Sequence, residues 1–160
     1  MSDLTNEDLK ELTIWAEKYN ISEEYFPRDI NALLTLEYIF LSSYEIDYLP
    51  ETIGKLTNLK EIDLSSNQLK HLPISFANLK NLTYLNLFFN EFEEIPTVIG
   101  ELTELIDLDF SVNDINEIPE FINNLVNLEK LRLMNNNIKK IPTTINKLAK
   151  LKDLELSCNK

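Results

Sequence analysis

Pro27, Pro50, Pro73, Pro96, Pro119 and Pro142 are the only prolines in the 160-residue chain, and each stands 23 residues after the one before. From Pro50 onward an asparagine follows each proline by 17 residues, at Asn67, Asn90, Asn113, Asn136 and Asn159, so two unrelated residue types keep one phase. Self-similarity at a period of about 20 to 29 residues marks an array whose units stack only on their neighbours. Such arrays share a frame and differ in what their exposed columns carry. The period therefore speaks to architecture before it speaks to function.

The apolar residues fall into columns of the same stride. Leu36, Leu59, Leu82, Leu105, Leu128 and Leu151 fill the first position of the unit, and Leu41, Leu64, Leu87, Phe110, Leu133 and Leu156 the sixth. Further columns run through Ile46, through Leu49 to Ile141, through Ile53 and through Leu56. Between the first and sixth positions, stretches such as Ile62-Asp63-Leu64 alternate apolar and polar, the pattern of a short strand with one buried face. Strands one unit apart pair in parallel, and the rest of each unit holds a turn and a short helical or 3-10 return leg. One unit alone cannot bury enough to fold, so stability is shared along the stack. Each periodic asparagine sits where the chain leaves the strand, and its amide both donates to and accepts from backbone of adjacent turns, a structural role. The proline after each buried Leu or Ile fixes φ at the start of the return leg.

These columns, with LxxLxLxxNxLxxLPxxIxxLxxL recurring from Leu36 to the end, resemble the leucine-rich repeat family, in its 23-residue Ras-suppressor-like and bacterial cytoplasmic form. The resemblance implies an α/β fold: a right-handed arc with a parallel concave sheet, short helical or 3-10 convex segments and protein binding without catalysis. The first unit departs from the pattern, with Tyr44 where asparagine belongs.

Residues 1–26 are expected to form a helical cap and 27–160 the repeats, in one domain. Thr5 to Asp8 carry a helix-start signal, and Leu9, Leu12, Trp15, Ala16 and Tyr19 recur at three- and four-residue steps. That stripe is expected to lid the first repeat. Phe26-Pro27 through Ile30, Leu33 and Leu36 already follow the return-leg pattern. At the other end LKDLELSCNK has a strand but no return leg. This leaves an open edge that either a longer native chain or a second copy would cover.

Charge and composition narrow the function. The chain has 15 Lys and Arg against 27 Asp and Glu, a net charge of −12 that repels phosphate backbones, so nucleic acid is not an expected partner. The sequence holds no apolar run of membrane-spanning length and no leader-like start, and the lone Cys158 suits a reducing compartment, so the expected location is cytoplasmic. Richness in Ile, Asn, Lys and Glu suggests an AT-rich bacterial genome. The single His71 and single Cys158 lie about four repeats apart, and Gly54 and Gly100 are the only glycines. No catalytic dyad, zinc site, phosphate loop or DxDxDG calcium loop is expected, and no cofactor.

The third and fifth positions of each unit flank the buried strand residue and face away from the core. The third-position column runs Tyr38, Glu61, Tyr84, Asp107, Lys130, Asp153, and the fifth Phe40, Asp63, Asn86, Asp109, Arg132, Glu155. Neighbouring strands are about 4.8 Å apart, which predicts ion pairs of Lys130 with Asp107 and Asp153, and of Arg132 with Asp109 and Glu155. Phe88 and Phe89 either reach a partner or fold down over neighbouring units. The expected contact residues are Tyr38, Phe40, Glu61, Asp63, Tyr84, Phe88, Phe89, Asp107 and Asp109, meeting a protein or peptide with basic and apolar surface. The protein is expected to be a monomer. The alternatives are a structural protein that self-assembles through the open carboxyl-terminal edge, and a recruitment arm of a longer enzyme.

Overall fold

Thr5 opens the first helix with a capping box: its hydroxyl accepts the Asp8 backbone N–H at 3.2 Å, and the Asp8 carboxylate accepts the Thr5 N–H at 2.7 Å. The computed structural model describes residues 4–160 and defines this helix, α1, as Asn6–Lys18. The first three residues of the expected cap lie outside the described residues. Asn20, at φ 53°, closes the helix in the left-handed conformation, with Ile21 N–H bonded to the Ala16 carbonyl and Asn20 N–H to Glu17. Leu12, Trp15 and Ala16 are buried. Trp15 packs edge-on to Phe26 at 5.3 Å and donates its indole N–H to the Tyr48 carbonyl at 2.8 Å. The helix thereby lids the first unit, as its apolar stripe predicts.

A second helix, α2 (Ile30–Leu34), forms where the first return leg is expected. Asp29 accepts the Ala32 N–H at 2.9 Å and starts a true α-helical turn, whereas the later return legs are 3-10. Those later legs are Glu51–Lys55, Ile74–Asn78, Thr97–Glu101, Glu120–Asn124 and Thr143–Lys147. Each follows a proline whose carbonyl accepts the N–H three residues on, as in Ile53 to Pro50 at 3.0 Å. A proline there supplies an acceptor and a preset φ, and its missing N–H is one the first turn leaves unpaired in any case.

Six strands alternate with these legs: β1 Tyr38–Phe40, β2 Glu61–Asp63, β3 Tyr84–Asn86, β4 Asp107–Asp109, β5 Lys130–Arg132 and β6 Asp153–Glu155. All pair in parallel in sequence order, and each residue pairs with the one 23 positions later, such as Ile39 with Ile62 and Ile62 with Leu85. The result is a right-handed solenoid, the sense that parallel crossovers take. Its sheet lies along one side and its 3-10 legs along the other. Between them the apolar columns form one continuous core from Leu4 to Leu148.

The asparagine ladder is as expected and deeply set. Asn67, Asn90, Asn113 and Asn136 are buried; each donates its amide to carbonyls of its own and the preceding unit and accepts an N–H from the preceding turn. Asn159 repeats the pattern partly exposed. Tyr44 does not contribute such an amide, yet its N–H is still held by Asn67 at 3.1 Å, so the first turn is tied down from the second. One apolar column breaks from expectation. Ile141 is 47% exposed where Leu49, Leu72, Ile95 and Ile118 are buried, because only β6 and its turn follow it in the stack.

Candidate protein-interaction face

The strand register converts the third and fifth positions into two straight rows. Tyr38, Glu61, Tyr84, Asp107, Lys130 and Asp153 stand side by side, as do Phe40, Asp63, Asn86, Asp109, Arg132 and Glu155. Every strand residue between the two rows points into the core, from Ile39 to the half-buried Leu154. The rows therefore form the outer face of the sheet, and they change character from strand to strand.

On β1, Tyr38 and Phe40 are 46% and 51% exposed and their rings lie nearly parallel, 11° apart with centroids at 6.3 Å. Glu61 and Asp63 follow on β2. On β3 Tyr84 is half-buried, and just beyond that strand Phe88 and Phe89 are 36% and 57% exposed with centroids 6.2 Å apart. These two rings do not fold down over their neighbours. The Tyr84 hydroxyl titrates above its ordinary range because burial, then the carboxylates of Asp63, Asp107 and Asp109, disfavour a phenolate. One phenol thus senses three acidic side chains from two strands.

The ion pairs differ in part from expectation. Lys130 reaches Asp107 at 3.8 Å, as predicted, but forms no pair with Asp153. Arg132 does not take its register neighbour Asp109; it reaches diagonally to Asp107 at 2.6 Å and more loosely to Glu155 at 3.9 Å. Asp109 is otherwise engaged, since its carboxylate accepts the Ser111 N–H at 2.7 Å. Asp63 makes the same bond to Ser65 N–H at 2.8 Å and also accepts from the Asn86 amide, while Asn86 holds Phe88 N–H. Fifth-position Asp and Asn residues therefore close Asx turns at the strand exit. An Asp or Asn two residues before a turn was the sequence signal for this. Asp107 is clamped by two cations, and the carboxylates of the two rows with no ion-pair or hydrogen-bond partner among the described residues are Glu61 on β2 and Asp153 on β6.

A further column was not legible from residue types. Ser43, Ser66, Phe89, Val112, Asn135 and Cys158, again 23 apart, all have φ between 52° and 65°. The left-handed conformation is imposed by the turn before the ladder asparagine, and of these six only Asn135 is a residue type enriched there. His71 is exposed, as expected of its turn position. Among the described residues no group of three or more His, Cys, Asp or Glu side chains could hold a metal ion, and no helix is long and apolar enough to cross a membrane.

Comparison with known proteins follows the same lines. The description "leucine-rich repeat region" matches residues 8–114, and "leucine rich repeat" matches residues 127–148. A leucine-rich repeat protein of Leptospira interrogans is similar in structure at a TM-score of 0.78 and 37% identity, over 79% of this chain and 32% of that one. The chain thus spans about a third of that protein. The ectodomain of the receptor kinase SOBIR1 from Arabidopsis thaliana is similar at 0.76 and 28% identity, over 99% of this chain and 96% of that one. The GASSHO1/SCHENGEN3 ectodomain from Arabidopsis thaliana, solved in complex with CASPARIAN STRIP INTEGRITY FACTOR 2, is similar at 0.69 and 34%, over 82% and 16%. No curated protein matches the chain. With its repeats matched over more than half its length and its solenoid shared with such arrays, the chain belongs to the leucine-rich repeat family.

Proposed function

We propose that the outer face of the sheet binds a protein or peptide segment that carries a basic side chain beside an apolar one. Leucine-rich repeat folds commonly mediate protein–protein interaction, and one similar ectodomain was solved with a partner bound. The reading rests on the aromatic, acidic, aromatic order of β1 to β3. Two aromatic platforms, the exposed Tyr38 with Phe40 and the half-buried Tyr84 with the exposed Phe88, flank Glu61 and Asp63. None of these rings is needed by the core, and exposed aromatics are the side chains interfaces use as anchors. Alternate strands lie about 9.6 Å apart, twice the strand spacing, so a Lys or Arg between two apolar contacts meets Glu61 while its neighbours meet the rings. Asp107 and Asp109 extend the acidic field across β4 with reduced strength, since Asp107 already holds Arg132. Phe89 widens the second platform at the turn.

Selection of a random displayed peptide library on the immobilised protein tests this. Enriched peptides are expected to carry Lys or Arg next to an aromatic or aliphatic residue, and Tyr84→Ala/Phe88→Ala or Glu61→Lys is expected to weaken them about tenfold or more. Peptides that bind those variants as tightly as the native chain would show the contact lies elsewhere.

A further inference from the structure

The turns that leave the strands stack in the same stride as the sheet. Asp114 donates its backbone N–H to Phe92 at 2.9 Å, and Asn137 donates to Ile115 at 2.8 Å. Along the flank this builds, the dipeptides Glu93-Glu94, Asn116-Glu117 and Lys139-Lys140 hold one position in three successive units, and all six residues are exposed. Glu93, Glu94, Lys139 and Lys140 form no ion pair among the described residues. The surface at Glu93 and Glu94 is concave, a hollow of about 430 Å³ rimmed by Lys70, His71, Glu91, Asn116 and Glu117, with Lys70 paired to Glu91 at 3.4 Å.

Charge is segregated along the whole molecule in the same sense. Residues 1–129 carry 7 basic against 25 acidic side chains, and residues 130–160 carry 8 against 2. We infer that this flank is a self-complementary surface on which two copies of the chain pair antiparallel about a two-fold axis at Asn116. The acidic and basic pairs lie one repeat to either side of Asn116, so such an axis sets Glu93 and Glu94 of each copy against Lys139 and Lys140 of the other. One operation makes the contact twice and closes the assembly at two. Asn116 meets its own copy on the axis, where an amide can both donate and accept. Glu117, next to Asn116, is brought by the same axis beside Glu117 of the second copy, one like-charge contact flanked by the two sets of unlike pairs. Flanks laid parallel and in register would instead oppose like with like. The lysine side chains reach into the hollow, while the net charge of −12 disfavours contact between acidic surfaces elsewhere. At physiological ionic strength that long-range repulsion is screened beyond about 8 Å, and the contact pairs persist. The sheet face stays uncovered, so this pairing is independent of the binding function proposed above.

Sedimentation equilibrium of the native chain at ~0.15 M salt is the test, beside Lys139→Glu/Lys140→Glu and Glu93→Lys/Glu94→Lys. All four side chains are exposed and unpaired, so both variants are expected to keep the native circular dichroism spectrum. The native chain is expected to form dimers and no larger species, and each variant alone to associate about tenfold more weakly or worse, since it faces like charge twice. An equimolar mixture of the two variants sets unlike charges against each other in both contacts, one in the native sense and one with the signs exchanged, and is expected to recover dimers. A native chain monomeric into the millimolar range, a variant that dimerises as the native chain does, growth beyond dimers, or a mixture that stays monomeric would each overturn the inference.

Discussion

The side-chain oxygen of Asn113 accepts the backbone N–H of Phe92 at 3.0 Å, across 21 residues of sequence and one step of the solenoid. From the same position the Asn113 amide donates to the Leu87 and Phe110 carbonyls, both at 3.0 Å. With a longer bond to the Ser111 carbonyl at 3.4 Å, one buried side chain thus binds four backbone groups in two units. Removing it strands the Phe92 N–H out of reach of water, while the Leu87 carbonyl keeps the Asn90 amide and the Phe110 carbonyl keeps the Asn136 amide.

Asn113→Ala is therefore expected to cost roughly 1–3 kcal/mol in urea unfolding, the penalty of leaving the buried Phe92 N–H unpaired. Asn159→Ala, whose site is partly exposed, is expected to cost clearly less. Equal losses at the two positions would mean the ladder does not act through burial.

Gly54 marks a different constraint. A Cβ there would lie 2.2 Å from the Ser75 carbonyl oxygen, a backbone atom of the next return leg, whereas at Gly100 it would meet the Phe121 ring edge at 3.0 Å. Gly54→Ala is expected to destabilise by about 2 kcal/mol or more and Gly100→Ala by less, since a ring can swing aside and a carbonyl cannot. Thermal melts of the two single variants decide it.

Val112 holds φ at 56°, a conformation a β-branched side chain adopts at a cost of about 1–3 kcal/mol. Asn135 occupies the same position one unit on without that cost. Val112→Asn is expected to raise the melting temperature and Asn135→Val to lower it. A fall on Val112→Asn would show that the valine contributes packing worth more than its backbone strain.

Burial presses the Asp8 carboxyl toward its neutral form, but hydrogen bonds from Lys55 Nζ and from the Thr5 backbone and hydroxyl outweigh it, and its pKa lies below the usual value. A depressed carboxyl pKa contributes stability that is present above the unfolded value, about 3.9, and is lost as pH falls through the folded value. The α1 cap is thus expected to loosen below pH ~4, with Trp15 fluorescence shifting before the repeats unfold. Asp8→Asn is expected to flatten that early step. A Trp15 transition unchanged by the substitution would assign the acid response to other groups.

Most of the scaffold was legible in the sequence because a solenoid maps sequence distance onto space in a constant way. Leu64 sits beside Leu87, 23 residues on, and Asn90 accepts the Leu69 N–H across 21 residues, two spacings that recur from unit to unit. The helical cap followed from α1's apolar stripe and its start signal. The candidate face was legible to the level of rows: Tyr38, Glu61 and Tyr84 are neighbours because their strands pair one unit apart.

Within those rows, tertiary structure decided what stride could not. Arg132 had Asp107 and Asp109 both in reach, and turned to Asp107 because the Ser111 N–H already occupied Asp109. Phe89 and Val112 were driven into the left-handed conformation by a turn that their own residue types disfavour, and Ile141 was left exposed although its letter matches its column. The period of the chain determined which residues meet. The partner a charged group takes, and the backbone conformation a turn enforces, turn on differences of about 1 kcal/mol among nearby alternatives, and only the packed arrangement sets those.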